Sequence, residues 1–181
     1  MDDDALRRAV QGLLDKEAIL DCLNRYARGL DRRDLDMLAS VFHDDATDHH
    51  GGGAEYHPAA EALIADWDTR DIHRTFSHHL ILNTSIDLDG DVAHAESYFQ
   101  LIVGLKPDVR PGEPRLSIGG GRYVDRFERR DGEWRIARRV LVLEYSTAWD
   151  ENDALPWVRE WARRNADDPS YARPLLGPPA G

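Results

Sequence analysis

In the first part of the chain, apolar residues recur at steps of three and four, which is a helical period. We predict a first helix over residues 13–30 and a second, shorter helix over residues 35–42. Residues 43–48 break the pattern, and residues 49–58 suit a short hairpin or loop. A third helix is predicted from Pro58, because proline fits the first helical turn. The buried stripe of the first helix is expected to contain Leu13, Leu20, Leu23 and Leu30, with Ile19, Cys22 and Tyr26 beside them.

After Ile72 the pattern becomes that of strands. Four long strands are predicted, at residues 77–87, 92–105, 116–129 and 134–145. Asp89-Gly90-Asp91 and Arg130-Asp131-Gly132-Glu133 are tight-turn sequences, and the run Gly119-Gly120-Gly121 predicts a bulge or sharp bend. Hairpin-linked strands after a block of helices predict an α+β fold, in which a curved, mainly antiparallel sheet carries helices on one face.

Length and composition fit one domain with a hydrophobic core, since the chain has 181 residues of which 41% are apolar. We assign residues 1–149 to this domain. Residues 150–181 are expected to add a helix and a proline-rich tail that packs on the same domain or on a neighbouring subunit.

The formal net charge of −11 argues against nucleic acid or an anionic membrane as a partner. No apolar run approaches the roughly 20 residues that a membrane helix needs, and the acidic N-terminus has no signal-peptide character. The single cysteine, Cys22, lies on the apolar stripe and has no internal disulfide partner. These features lead us to expect a cytoplasmic protein.

Asp31 follows directly after Leu30 and therefore lies at the edge of the buried face of the first helix. A buried carboxylate needs a charged or hydrogen-bonding partner, because burying an isolated charge is very costly. One interpretation is that Asp31 or Asp34 caps the following helix. Asp34 suits that role better, which leaves Asp31 available for a partner, and we predict that this partner is His79.

His79 and Asn83 share one face of a predicted strand, and together they suggest a polar patch inside a cavity. The alternative for His79 is a buried histidine bound to a backbone carbonyl. Arg139 comes just before an apolar run, which favours the concave side of the sheet, and the alternative is a solvated edge arginine. A carboxylate bound to one imidazole nitrogen makes the other nitrogen a better base, and a nearby cation stabilises developing negative charge.

Four sequence pieces carry a resemblance to a known family. They are YARGLD at 26–31, SHHLILN at 77–83, DGDVA at 89–93 and GRYVDRFERRDGEWRI at 121–136. With the order of helices and strands, they resemble the SnoaL-like branch of the nuclear transport factor 2 superfamily over roughly residues 13–148. The resemblance implies a cone-shaped α+β barrel, cystatin-like in fold, whose curved sheet and helices enclose one deep pocket.

The enzymes of this branch that look most similar are scytalone dehydratase, hexachlorocyclohexane dehydrochlorinase and the bile-acid 7α-dehydratases. They need no cofactor, use an Asp–His pair, and form dimers or trimers. By position, the resemblance implies that Asp31, His79, Tyr26 and Arg139 are catalytic. Tyr26 stands where the dehydrochlorinase has lysine and the bile-acid enzyme has tyrosine, which argues against dehydrochlorination.

The expected function is therefore a cofactor-independent lyase of the dehydratase type, or an isomerase, acting on a small apolar cyclic substrate. A non-catalytic small-molecule binding protein of the same fold is the alternative. The protein is expected to be a homo-oligomer, a trimer or dimer. Residues proposed to line the substrate pocket, each of which also suits the core, are Phe42, Trp67, Asn83, Tyr98, Leu141, Leu143 and Trp149.

Histidines and aspartates are frequent enough to suggest a metal site. However, neighbouring histidines on a strand point to opposite faces, and the sequence has no H-x-x-x-H pair on a helix. We therefore predict no metal site among the histidines His49, His50, His57 and His73.

Overall fold

The computed structural model describes residues 2–50, 55–56, 58–106 and 115–149, without the side chains of residues 55–56, 66–71 and 147–149. The predicted tail, residues 150–181, lies outside the described residues. The described part of the chain folds in the order α1 (Asp3–Arg32), α2 (Leu35–Ala39), β1 (Phe42–His49), β2 (Glu55–Tyr56), α3 (Ala59–Asp71), β3 (Arg74–Asp89), β4 (Val92–Leu105), β5 (Leu116–Arg130) and β6 (Glu133–Trp149).

The first helix begins earlier than predicted. Asp2 caps it by accepting a hydrogen bond of 2.7 Å from the Ala5 N–H, and Asp3 and Asp4 lie in the first turn, where negative charge is favourable. Leu13, predicted to be buried, is 69% exposed. The buried apolar face runs instead from Ile19 to Leu30, where α1 packs on α2, β3 and β6.

The prediction of a second helix over residues 35–42, followed by a break at residues 43–48, is wrong in part. The second helix ends at Ala39, and Phe42 opens strand β1 instead of closing a helix. Strand β1 runs parallel to β6, with Phe42 opposite Ile136, and the short strand β2 pairs with it in a hairpin. The acidic residues of β1 hide its alternation, although Ala46 and Asp48 are both buried.

The α+β class and the curved, mainly antiparallel sheet are confirmed. The strand order is β2-β1-β6-β5-β4-β3, with one parallel pair, β1 and β6. The sheet is open and not a closed barrel, because β2 and β3 are its two edges and no pairing joins them in the described residues. The bulge predicted in the glycine run is confirmed, since the β5–β6 register shifts between Gly120 and Gly121.

The core lies between α1 and the inner face of the sheet. From α1, Ile19, Leu23, Tyr26 and Leu30 are buried. Alternate residues of the central strands face them, so the sheet contributes Phe42, Phe99, Tyr123, Phe127 and Ile136. The same inner face also carries charged groups, and these form the candidate site.

Candidate active site

The end of α1 directs Asp31 toward strand β3. Arg33 ends the helix in the left-handed conformation, with φ of 54°. Asp34, the next residue, caps α2 by accepting a hydrogen bond of 3.0 Å from the Met37 N–H. The predicted division of roles is therefore seen in the structure: Asp34 is the helix cap, and Asp31 contacts another element.

Asp31 and His79 are in direct contact. Asp31 Oδ1 lies 2.7 Å from His79 Nδ1, and the His79 main-chain N–H donates to Asp31 Oδ2 over 2.9 Å. The Ser77 hydroxyl donates to Asp31 Oδ1 over 3.1 Å. Both side chains are shielded from water, with 14% of Asp31 and 3% of His79 exposed. Strand β3 thus supplies three hydrogen-bonding groups around one carboxylate.

Burial lowers the pKa of His79 below its ordinary value of 6.5. The hydrogen bond and the negative charge from Asp31 oppose this shift, while the positive charges of Arg74 and His50 add to it. The imidazole is therefore neutral at pH 7. Because Nδ1 is the nitrogen that contacts the carboxylate, it carries the proton, and Nε2 is the basic nitrogen.

Tyr26 packs edge-on against His79, with ring centroids 6.4 Å apart and an interplanar angle of 78°. Its ring also meets Phe42 and Tyr123 edge-on, and the side chain is fully buried. Burial raises the pKa of the phenol, so it remains protonated at neutral pH, although the charge of Arg139 opposes the shift. The Tyr26 hydroxyl makes no hydrogen bond to the described side chains or backbone.

Arg139 lies on the concave side of the sheet, as predicted, but it forms a buried ion pair. It donates to both carboxylate oxygens of Asp125, over 2.8 and 2.7 Å, and both side chains are completely buried. Its guanidinium carbon lies 4.1 Å from the ring centres of Tyr26 and Tyr123. Burial would lower the pKa of Arg139, but the charge and hydrogen bonds of Asp125 outweigh it and raise the pKa well above its ordinary value. Asp125 thus neutralises the cation that was expected to face a substrate.

Asp48 and His50 form a second carboxylate–imidazole contact that the sequence interpretation missed. His50 Nδ1 lies 3.2 and 3.3 Å from the two carboxylate oxygens of Asp48, which is fully buried and sits opposite Arg139 in the sheet. The signal was hidden because residues 43–48 read as a break. For Asp125, the alternation Tyr123-x-Asp125-x-Phe127 would have placed the carboxylate inside.

The residues predicted to line the pocket differ in burial. Phe42 is buried against Tyr26, and Leu141 packs half-buried on the core. Leu143 is 59% exposed. The side chains of Trp67 and Trp149 lie outside the described residues.

Asn83 and Tyr98, which were predicted to line the pocket, are both exposed. The β3–β4 register shifts between Ile81 and Thr84, so Asn83 leaves the face of His79 and is exposed. Tyr98 is 45% exposed because strand alternation turns its neighbour Phe99 inward, where it stacks on Tyr123 at 4.4 Å.

Among the described residues, no three histidine, cysteine, aspartate or glutamate side chains lie close enough together to hold a metal ion. No helix in the described part of the chain has the length and apolar character needed to span a membrane.

The fold and the site define an α+β protein in which a curved, open sheet and its helices surround a buried Asp–His contact. The chain belongs to the SnoaL-like domain family, whose profile matches residues 11–140. The resemblance seen in the sequence is thereby confirmed. Among the curated proteins compared with the chain, none matches.

Several solved structures share this fold. A type 2 hexachlorocyclohexane dehydrochlorinase, LinA, is 21% identical with a TM-score of 0.73, covering 83% of this chain and 99% of its own. A provisionally named scytalone dehydratase from Novosphingobium aromaticivorans is 22% identical with a TM-score of 0.69, covering 84% and 99%. Rv3472, a protein of unknown function from Mycobacterium tuberculosis, is 24% identical with a TM-score of 0.64, covering 75% of each chain. At these identities the likeness shows a shared fold.

Proposed function

We propose that the protein is a cofactor-independent lyase of the dehydratase type, or an isomerase, with His79 as its general base. The observation that carries this proposal is the buried contact between Asp31 and a neutral His79. A neutral imidazole can accept a proton, and a carboxylate at its other nitrogen stabilises the imidazolium that results.

In the proposed reaction, His79 Nε2 removes a proton from a carbon next to a carbonyl or similar activating group. For elimination, the electrons of that C–H bond form a C=C bond, and the leaving group departs with its bonding pair. For isomerisation, the proton returns to a different carbon. Asp31 keeps the ring in the productive tautomer in both cases. Similarity to structures named as a dehydrochlorinase and a scytalone dehydratase supports this class of reaction.

Tyr26 is proposed to donate a hydrogen bond to the substrate oxygen that gains charge. Its raised pKa keeps the donor proton in place, and its ring lies against His79. Arg139 then acts indirectly, through Tyr26. It contacts the Tyr26 ring, while its charge is neutralised by the ion pair with Asp125. We therefore assign Arg139 a positioning role instead of the direct contact with substrate that was first expected.

The substrate is proposed to be small, mostly apolar and cyclic. Aromatic side chains close to the Asp31–His79 contact support this class, since Tyr26 touches His79 and also packs against Phe42 and Tyr123. Because side chains alone provide the base and the donor, the proposed reaction requires no metal or organic cofactor. Turnover is expected to survive exhaustive treatment with a chelator.

The proposal is tested with a panel of cyclic β-hydroxy ketones incubated with the protein in D₂O. The wild-type protein should release water and form a conjugated ketone, or at least exchange the proton next to the carbonyl for deuterium. His79→Gln is the control variant, and it should show neither elimination nor deuterium exchange. A ligand that binds the wild-type protein with neither elimination nor exchange would instead favour a small-molecule binding protein.

A homo-oligomer is also proposed, as the family resemblance implies. Large apolar side chains that are exposed on β3, β4 and β5 support it, and they include Leu80, Tyr98 and Val124. Light scattering coupled to gel filtration distinguishes a dimer or trimer from a monomer.

A further inference from the structure

We propose that His50, held by Asp48 at the end of β1, is a second catalytic residue that protonates the leaving oxygen of the substrate. This inference rests on the proposed elimination and deepens it by assigning the general acid. Expulsion of hydroxide from carbon is slow unless the oxygen is protonated as the bond breaks, so a dehydratase gains from an acid placed apart from its base.

The first support is the repeated arrangement of the two contacts. In both, an aspartate oxygen meets Nδ1 of an imidazole, at 2.7 Å for Asp31–His79 and at 3.2 Å for Asp48–His50. The Asp48 side chain is completely buried. A carboxylate in that position compensates the positive charge that His50 carries when protonated, and Nε2 is the nitrogen proposed to transfer the proton.

The second support is the closeness of the two contacts to one group, Tyr26. The Tyr26 ring packs edge-on against His79. Asp48 lies opposite Arg139 in the sheet, and the Arg139 guanidinium carbon is 4.1 Å from the centre of the Tyr26 ring. The positive charge of His50 in turn lowers the pKa of His79. The other groups that act on His79 are Asp31 and Arg74.

The third support is the difference in exposure, which separates the two roles. His79 is 3% exposed and neutral, as a base must be before reaction. The His50 side chain is 20% exposed, so it can regain a proton from water after each turnover. Two histidines with these different surroundings suit one proton acceptor and one proton donor.

The step balances without any further reactant. His79 takes the proton from carbon, and the C–H electrons form the C=C bond. The C–O bond breaks with its electrons on oxygen, and the proton from His50 Nε2 completes a water molecule. His79 leaves the step protonated and His50 neutral, and solvent restores both.

The test compares leaving groups on one cyclic ketone scaffold, using the hydroxyl substrate and its β-chloro analogue. Chloride leaves without protonation. His50→Gln should therefore lower kcat by about 10²–10⁴-fold on the hydroxyl substrate and by only a few-fold on the chloro substrate. His79→Gln should lower kcat on both. Equal losses for His50→Gln on the two substrates would overturn the proposal and leave His50 a structural role.

A second readout requires no substrate. The pKa of His79, measured by NMR titration, should rise in His50→Gln because a neighbouring positive charge is removed. The exposed His94→Gln is the matched control and should leave it unchanged. An unchanged His79 pKa in His50→Gln would contradict the proposal. If His50→Gln does not fold because Asp48 is left buried alone, the double variant Asp48→Asn/His50→Gln replaces it in the comparison of leaving groups.

Failure of the two proposals can be told apart. Wild-type protein that neither eliminates from these substrates nor exchanges their protons would overturn the proposed function and the role of His50 with it. Wild-type turnover that depends on His79, but with equal effects of His50→Gln on both leaving groups, would overturn the role of His50 alone.

Discussion

Asp31 holds His79 at two points, the ring Nδ1 and the main-chain N–H of the same residue. The carboxylate therefore orients the imidazole relative to the strand that carries it, and both donors point at oxygens that only accept. An amide at this position would place an N–H₂ group against one of those donors. The contact thus depends on the carboxylate itself and not only on a polar side chain of similar size.

The first prediction concerns turnover by the Asp31–His79 pair. Once a substrate is identified, His79→Gln should lower kcat by about 10²–10⁴-fold, the usual contribution of a general base. Asp31→Asn should be nearly as harmful, because the amide can stabilise the wrong tautomer. Steady-state kinetics measures both, with circular dichroism to establish folding.

The matched control is His78→Gln. His78 is the exposed neighbour of His79 on the opposite face of β3, so its replacement should leave kcat within a few-fold of wild type. Full turnover in folded His79→Gln and Asp31→Asn variants would show that the reaction, if any, uses other residues.

The second prediction is the pH dependence of activity. Burial lowers the pKa of His79, so the base remains neutral at pH 6.5 and loses activity only when the pH falls through its own, lower pKa. We expect the loss of kcat/KM that protonation of His79 causes to begin only below about pH 6.5, the ordinary histidine value. An acid limb that begins well above pH 7 would contradict this assignment.

The free energy of unfolding should also depend on the protonation of His79. Like activity, it should fall as the pH is lowered. Below the ordinary pKa of 6.5 the unfolded chain takes up a proton at His79 that the folded chain does not. The contribution of the neutral imidazole to stability is therefore complete above that pH and is lost as the pH falls through the folded-state pKa. Urea unfolding of wild type and His79→Gln between pH 5 and 7 should show a smaller decrease for the variant.

A third prediction concerns the buried ion pair of Arg139 and Asp125. Arg139→Met leaves Asp125 as an uncompensated buried charge and should reduce the free energy of unfolding by about 3–5 kcal/mol. The double variant Arg139→Met/Asp125→Leu should recover much of this loss, because neither charge remains. Urea denaturation provides the measurement.

Arg138→Met is the control for this series, since Arg138 is exposed on the opposite face of β6. It should change stability by no more than about 0.5 kcal/mol. A double variant less stable than Arg139→Met would contradict this prediction. It would mean that the ion pair stabilises the fold by more than the mutual neutralisation of its two charges.

The fourth prediction concerns the bulge in the glycine run of β5. A Cβ at Gly121 would lie 1.9 Å from the Val142 carbonyl oxygen, so Gly121→Ala must displace backbone. At Gly119 the nearest atom is a Leu143 methyl group at 3.7 Å, which is ordinary contact. Thermal unfolding should therefore show a loss of about 1–3 kcal/mol or more for Gly121→Ala and little change for Gly119→Ala. Equal stability of the two variants would contradict the close approach at the bulge.

Much of the fold was readable from local pattern. Strand β4 was predicted with its observed bounds, Val92–Leu105, because its alternation is regular and turns flank it. Strand β1 was missed because its six polar residues obscure the alternation. Its partner β6 lies far along the chain and runs parallel to it. Pairing of that kind leaves no turn sequence next to the strand.

The candidate site was likewise predicted only in part from the sequence. Resemblance to a family located Asp31 and His79, and their separation of 48 residues means that no local pattern could have brought them together. For Asn83, one register shift in β3 was enough to reverse the predicted face. The role of Arg139 was changed by Asp125, which reaches it across the β5–β6 pair.

The sequence by itself determined the order of the long elements, the α+β class and the cap at Asp34, because periodicity and capping act among residues a few positions apart. Only the tertiary structure decided which polar groups meet on the inner face of the sheet. The contacts of His79 with Asp31 and Tyr26, of Arg139 with Asp125, and of Tyr26 with Arg139 each join separate elements. Their geometry depends on strand register and sheet curvature, which arise only when all the elements pack together.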